Sequence, residues 1–277
     1  MYIRCWGSRG SIPVSGPQYN RYGGDTTCVE VRSANGDVIV IDAGTGIRSL
    51  GLRLKEESVK QIDMLFTHAH LDHIMGFPFF PPIYEKGVHI NVHGHPFGVP
   101  SYKSILKMIM ANPYCPVDFS DIPASLTFDK VGVRPFKIGH FTITPILLSH
   151  PNGGIGYRIE EEGKSFVFLT DNELEYVHKN GLRKQAYIDF SANADLLIHD
   201  AEYTRDDYNR MWGHSIFISA TELGIAAKVK RLGLFHHNQR RTDDEIDEIV
   251  DAARAVIKRK KSKVECFAVS NRFELTL

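Results

Sequence analysis

The chain has 277 residues, enough to bury a full core, and its 43% hydrophobic and 24% charged residues are those of an ordinary soluble globular protein. Lys plus Arg equals Asp plus Glu at 33 each, so the formal net charge is zero; this argues against a protein working through its overall field on nucleic acid or an anionic membrane. No apolar run approaches the ~18 residues a membrane span needs. The start MYIRCWGSRG lacks a charged region followed by an apolar stretch, so no secretory leader is expected.

In chain order, strand-like runs occur at DVIVIDAG (37–44), IDMLFTH (62–68), VHINVHGH (88–95), FTITPILLSH (141–150), SFVFLTD (165–171), DLLIHD (195–200) and LGLFHH (232–237). Most are β-branched, apolar and bounded by glycine, proline or charge. Residues 112–125, with Pro113, Pro116 and Pro123, read as an ordered surface excursion. Two late helices are expected. One covers 219–231, with Ser219 and Glu222 at capping-box spacing, and stops before Gly233. The other covers 243–260 after Thr242, with Asp243, Asp244 and Glu245 in its first turn and Lys258, Arg259, Lys260 and Lys261 at its end, matching the helix dipole. Its positions Ile246, Ile249, Val250, Ala253, Val256 and Ile257 share one face. Early strands follow one another and later ones alternate with helices, which suggests sheets covered by helices in one domain spanning 1–277. Cys5, Cys28, Cys115 and Cys266 are scattered with no CxxC pair, and read as buried or free thiols of a reducing compartment, the cytoplasm.

The segment FTHAHLDHIMG (66–76) carries the chemistry. Side chains of an extended chain alternate faces, so His68 and His70 point the same way and can chelate one ion together. Gly76 and Pro78 then force a turn that swings Asp72 and His73 towards a second ion. Histidines packed this closely repel when protonated and bury poorly when neutral without partners. Two sites need further donors. His150, Asp171 and His236, or its neighbour His237, each close an apolar strand, where sheet edges would collect them. Imidazole and carboxylate suit first-row divalent metals, and a carboxylate can bridge two ions.

HAHLDH resembles the HxHxDH motif of the metallo-β-lactamase superfamily, with His150, Asp171 and His236 following in that superfamily's order. The opening WGSRGSIP, GYRI (156–159), DLLIHDAEY (195–203) and the pair His214–Ser215 before a helix resemble its ribonuclease Z and phosphodiesterase branch. The resemblance covers nearly the whole chain. It implies an αββα sandwich, two mixed sheets flanked by helices, with the site at one edge of the sheets. It also implies that His68, His70 and His150 bind a first metal, that Asp72, His73 and His236 bind a second, and that Asp171 bridges them. The implied activity is hydrolysis of a small phosphodiester, a cyclic nucleotide or a short nucleic acid, with Asp72 in the catalytic centre and His214 protonating the leaving oxygen. Esters, thioesters and lactones are the alternative substrates on this scaffold, and a metal-holding sensor is the non-catalytic alternative. The chain lacks the long glycine- and basic-rich arm that grips transfer RNA in ribonuclease Z, which leaves smaller phosphodiesters. Zinc suits these donors best, while manganese and iron accept the same set. Relatives imply a homodimer, and no membrane partner is expected.

The remaining polar residues divide more evenly. Asp42, closing VIVIDAG, either braces the site or caps the turn before Gly44. Asp200 is expected to contact a metal-binding histidine. His89, His93, His95, His140, His178 and His199 read as structural or exposed, His199 as a core histidine. Tyr157 reads as a buried strand aromatic more than a pocket wall. Arg9 reads as a phosphate contact or a surface residue, and KRKKSK (258–263) as a solvent-facing helix end.

Overall fold

A computed structural model describes residues 1–95, 97–98 and 101–277. The chain builds β1 (Tyr2–Gly7), β2 (Cys28–Arg32), β3 (Val38–Ile41), α1 (Ile47–Glu56), β4 (Gln61–Leu65) and the single turn α2 (Leu71–Ile74). It continues with β5 (His89–Gly94), α3 (Tyr102–Ile109), β6 (Ser125–Lys130), β7 (Phe136–Ile138), β8 (Phe141–Leu148), β9 (Gly154–Glu161) and β10 (Lys164–Leu169). After α4 (Lys184–Phe190) come β11 (Leu196–Asp200), α5 (Phe217–Ala226), β12 (Arg231–Phe235), α6 (Asp243–Arg259), β13 (Glu265–Ala268) and β14 (Glu274–Thr276).

The strands form two seven-stranded sheets, ordered β14-β1-β2-β3-β4-β5-β6 and β13-β12-β11-β10-β9-β8-β7. Each is mixed. The first is antiparallel from β14 to β3 and parallel from β3 to β6, and the second is antiparallel from β7 to β10 and parallel from β10 to β13. The period-two pattern explains the layering. In β3, Ile39 and Ile41 face the other sheet while Val38 and Val40 face the helices. In β10, Phe166 and Phe168 point inward and Val167 and Leu169 point outward. A central core of Ile3, Val29, Val31, Ile143, Tyr157, Ile159 and Phe235 thus lies between the sheets. One outer core packs α1 and α3 on the first sheet, and the other packs α4, α5 and α6 on the second. This is the expected αββα sandwich with helices on both outer faces.

The seven expected strands all form, within two or three residues of their run limits. The stretch 112–125 lies on the first outer core, where Cys115, Val117, Phe119 and Ile122 pack. The helix at 243 starts after Thr242 as expected, opens with a Thr242–Glu245 capping box that the sequence reading did not name, and buries all six of its apolar-face residues. The earlier helix departs from expectation: it covers Phe217–Ala226, its N-cap is Ile216, and no side chain caps it. Ser219 is already in the first turn because Tyr203 and Ile216 pair as an isolated bridge that starts the helix sooner. Lys228, at φ 54°, then ends it before β12. Among the described residues, no helix is long and apolar enough to cross a membrane.

Candidate metal centre

The parallel strands of both sheets end at one edge of the sandwich, and the residues just past those ends meet there. Open α/β sheets bind ligands at the carboxyl ends of their strands for this reason. Asp42 follows β3, His68 to His73 follow β4, His150 follows β8, Asp171 follows β10, Asp200 closes β11 and His236 follows β12. Asp42, Asp171 and His236 have φ values of 61°, 54° and 58°. Aspartate and histidine enter this left-handed region more readily than most residues, and here three such turns lie at one site. At His236 the turn also separates neighbours: His236 enters the cluster while His237 hydrogen-bonds the Val269 carbonyl at 2.8 Å.

All seven residues named from the sequence converge. The ring or carboxylate atoms of His68, His70 and His150 lie within 4.8 Å of one another, as do those of Asp72, His73 and His236, and those of His68, His73 and Asp171. Asp171 is shared: its carboxylate is 3.6 Å from His68 Nε2, 3.4 Å from His73 Nε2 and 3.4 Å from His236 Nε2. Asp72 lies 3.4 Å from His73 Nε2 and 3.2 Å from His236 Nε2.

The outer ring nitrogens are all engaged. His73 Nδ1 meets Asp42 at 2.8 Å, His150 Nδ1 the Gly213 carbonyl at 3.0 Å, His236 Nδ1 Glu202 at 3.0 Å, and His68 Nδ1 the Thr67 hydroxyl at 3.1 Å. Holding the outer nitrogen fixes the tautomer and turns the other lone pair inward, as metal-binding histidines require. The inward Nε2 atoms of His68 and His73 are buried with no hydrogen-bond partner. Orphaned buried nitrogens beside two carboxylates fit a divalent cation of the zinc, manganese or iron type.

Electrostatics agrees with this donor set. Burial holds His68 and His150 well below the usual imidazole value, so both are neutral and able to donate a lone pair. Burial alone would raise Asp72 and Asp171, but His73 and His236 outweigh it and hold both carboxyls well below their usual range. The same pairing lifts His73 and His236 against the effect of burial. The two carboxylates thus demand positive charge, which a divalent ion supplies while leaving the imidazoles neutral.

His214 stands beside the cluster, its ring stacked 4.6 Å from that of His236. Its Nδ1 is 2.6 Å from Asp200. Burial would lower its pKa, but the carboxylates of Glu202 and Asp200 prevail and push it up to about 9. His214 also lines a cavity of about 280 Å³. Close approach demands glycine here: a Cβ at Gly213, φ 92°, would meet His150 Nδ1 at 2.1 Å, and one at Gly10 would meet the His236 ring at 2.3 Å.

Other expectations resolve individually. Asp42 is a brace, fully buried, bonded to His73 and to Thr67 through both its backbone N–H and hydroxyl. Asp200 holds His214 and not one of the seven cluster residues, which corrects the expectation for it. His199 is a satisfied core residue between Asp200 O and Asn172, and the Tyr157 hydroxyl donates to Phe66 O inside the core. Arg9 overturns both of its readings. It is fully buried and donates to the carbonyls of Gly23, Asn238 and Arg241, fastening three loops. Sequence reasoning missed Glu202, although it stands in the DLLIHDAEY motif, and Glu173, which follows Asp171 by two residues.

Residues 38–237 match the family model of the β-lactamase superfamily domain. The chain belongs to that superfamily. Ribonuclease Z of Thermococcus onnurineus is 24% identical over 253 residues, covering 76% of this chain and 78% of that protein. Such relatives carry the name of the branch that the chain's motifs resemble. Among solved structures, the metallo-β-lactamase-fold protein YhfI of Bacillus subtilis superposes with a TM-score of 0.72 at 18% identity, covering 99% of each chain. A diphosphatase of the PhnP family superposes at 0.69 and 17% identity, covering all of this chain and 97% of that one. At such identities the superpositions establish the fold.

Proposed function

We propose that this metal-dependent hydrolase cleaves small phosphodiesters, such as a cyclic nucleotide or a short nucleic acid. His68, His70 and His150 would hold one divalent ion and Asp72, His73 and His236 a second, with Asp171 between them and zinc the preferred metal. The observation that carries the reading is His214, fixed by Asp200 at 2.6 Å beside this cluster. When bound, the ions supply a water acidified towards neutral pH and neutralise charge on phosphoryl oxygens. His214 holds its Nδ1 proton against Asp200 and offers the proton on Nε2 to the leaving oxygen. Asp72, bonded from the Ser11 amide at 2.8 Å, keeps its carboxylate aimed inward. Attack by water breaks the bond from phosphorus to the leaving oxygen and yields a phosphomonoester and an alcohol. Relatives named ribonuclease Z support phosphodiester chemistry, and the four unpaired cysteines support a reducing, cytoplasmic setting.

Hydrolysis of bis(p-nitrophenyl) phosphate by the zinc-loaded protein, beside p-nitrophenyl acetate, a lactone and a thioester, tests the reading. Turnover of the phosphodiester, abolished in His68→Ala and strongly reduced in His214→Ala, is expected. Turnover of only the carboxylic substrates would sink it in favour of an esterase, and turnover of none, with metals bound, would favour a sensor.

A further inference from the structure

The cavity beside His214 differs from the ligand cluster: its wall includes Tyr203, Asn209, Trp212, Gln239 and Arg240. Trp212 is 64% exposed, an unusual state for the largest apolar side chain, two residues before the proposed acid. Its turn is held. Met211 at φ 72° and Gly213 at φ 92° flank it, and both of their amides donate at 2.9 Å to the buried carboxylate of Glu173. That carboxylate also accepts from the Tyr208 hydroxyl and faces His178 Nε2 at 2.7 Å. A non-glycine residue in the left-handed region costs on the order of 1 kcal/mol or more and persists only where its surroundings over-determine it. The backbone of the turn that carries the indole is thus held in place. Nearby, Gln239 Oε1 is buried with no hydrogen-bond partner. Arg241 is paired with Asp207, whereas Arg240 is exposed and forms no ion pair among the described residues.

Resting on the phosphodiesterase reading, we propose that this cavity is the leaving-group subsite and that it takes a nucleoside. The base lies on Trp212, polar groups of sugar and base edge meet Gln239 and Asn209, and Arg240 supplies the cation at the rim. An aromatic face, a free amide and an arginine form the combination that holds single bases without sequence readout. The location follows from the reaction. The Nε2 proton of His214 goes to the leaving alkoxide, so the alcohol released must form on the side of His214. A volume of about 280 Å³ suits one nucleoside and not a run of stacked bases.

Calorimetric titration of adenosine into the zinc-loaded full chain tests the subsite, with ribose as the probe lacking a base. Saturable binding of adenosine and none of ribose is expected. Trp212→Leu should weaken adenosine by roughly tenfold, the scale of one base–aromatic stack, and Trp212→Phe should retain most of the affinity. Trp212 is exposed, so neither variant threatens the fold. No saturable adenosine binding, or binding undiminished in Trp212→Leu, overturns the subsite. Binding is read without turnover, so the two readings fail separately. Lost adenosine binding with intact bis(p-nitrophenyl) phosphate hydrolysis removes the subsite alone. Trp212-dependent binding without phosphodiester turnover supports a nucleoside site and removes the reaction.

Discussion

Four of the five histidines of the centre, His68, His73, His150 and His236, are each governed by an oxygen behind the ring, and those oxygens belong to residues outside the seven-residue cluster. Glu202 is the clearest case, buried, with Oε2 3.0 Å from His236 Nδ1 and Oε1 accepting from Asn238. Removing it frees the imidazole to rotate and to change tautomer. Glu202→Ala should therefore weaken zinc roughly 10- to 100-fold with the fold intact, the scale seen when such supporting groups are lost. Competition against a chromophoric chelator measures this, and unchanged affinity would show that His236 is held by packing alone. His199 makes a separate case through pH. Burial lowers its pKa below the usual 6.5, so it is neutral in the fold and charges only on unfolding. Below pH 6.5 the unfolded chain binds the extra proton, so stability present above that pH is lost as pH falls. His199→Asn should cost more stability at pH 7.5 than at pH 5, measured by urea unfolding at both. An equal cost would mean that the ring's titration is not linked to folding.

At the scale of elements, α6 shows local and long-range signals agreeing. The Thr242 hydroxyl accepts from the Glu245 amide and the Glu245 carboxylate accepts from the Thr242 amide. Thr242→Ala should cost about 1 kcal/mol, the usual worth of an N-cap, read as a lowered urea midpoint with unchanged hydrolysis. A loss far larger would mean that the cap also anchors the Arg21–Asp243 contact nearby. Helix α6 was legible because its cap, charges and apolar stripe all lie within one segment. Helix α5 was legible only in outline, since its start is set by pairing between Tyr203 and Ile216 rather than by a capping side chain. The same division applies to the centre. HAHLDH is contiguous and follows directly on β4, so its donors could be read from one segment, although its residues lie past the strand end and on the turn α2 rather than in the strand itself. Arg9 could not, because its acceptors at Asn238 and Arg241 are more than 200 positions away. Glu173 was hidden likewise, its carboxylate serving a turn at 208–213 that only the fold brings beside β10.

For the whole molecule, what matters is that the donors come from both sheets. His68, His70, Asp72 and His73 extend from β4 in the first sheet, whereas His150, Asp171 and His236 extend from β8, β10 and β12 in the second. A divalent metal held by these donors would therefore clasp the open edge of the sandwich, while the central core joins the sheets farther in. Without a metal, the charge of the buried carboxylates Asp72 and Asp171 is offset by neighbouring imidazoles, with one hydrogen bond each from the Ser11 amide and the Thr170 hydroxyl. Ligand that binds only the folded state adds RT ln(1 + [L]/Kd), about 4.1 kcal/mol at a thousandfold excess over Kd. Removing zinc with a chelator at constant pH should accordingly lower Tm by many degrees, and restoring zinc should recover it. The shift should nearly vanish in a His68→Ala, His236→Ala double variant, which has lost a donor from each sheet. If metal analysis confirmed removal and Tm did not move, the ions would serve chemistry without joining the sheets, and the hydrophobic layer between them would carry that union by itself.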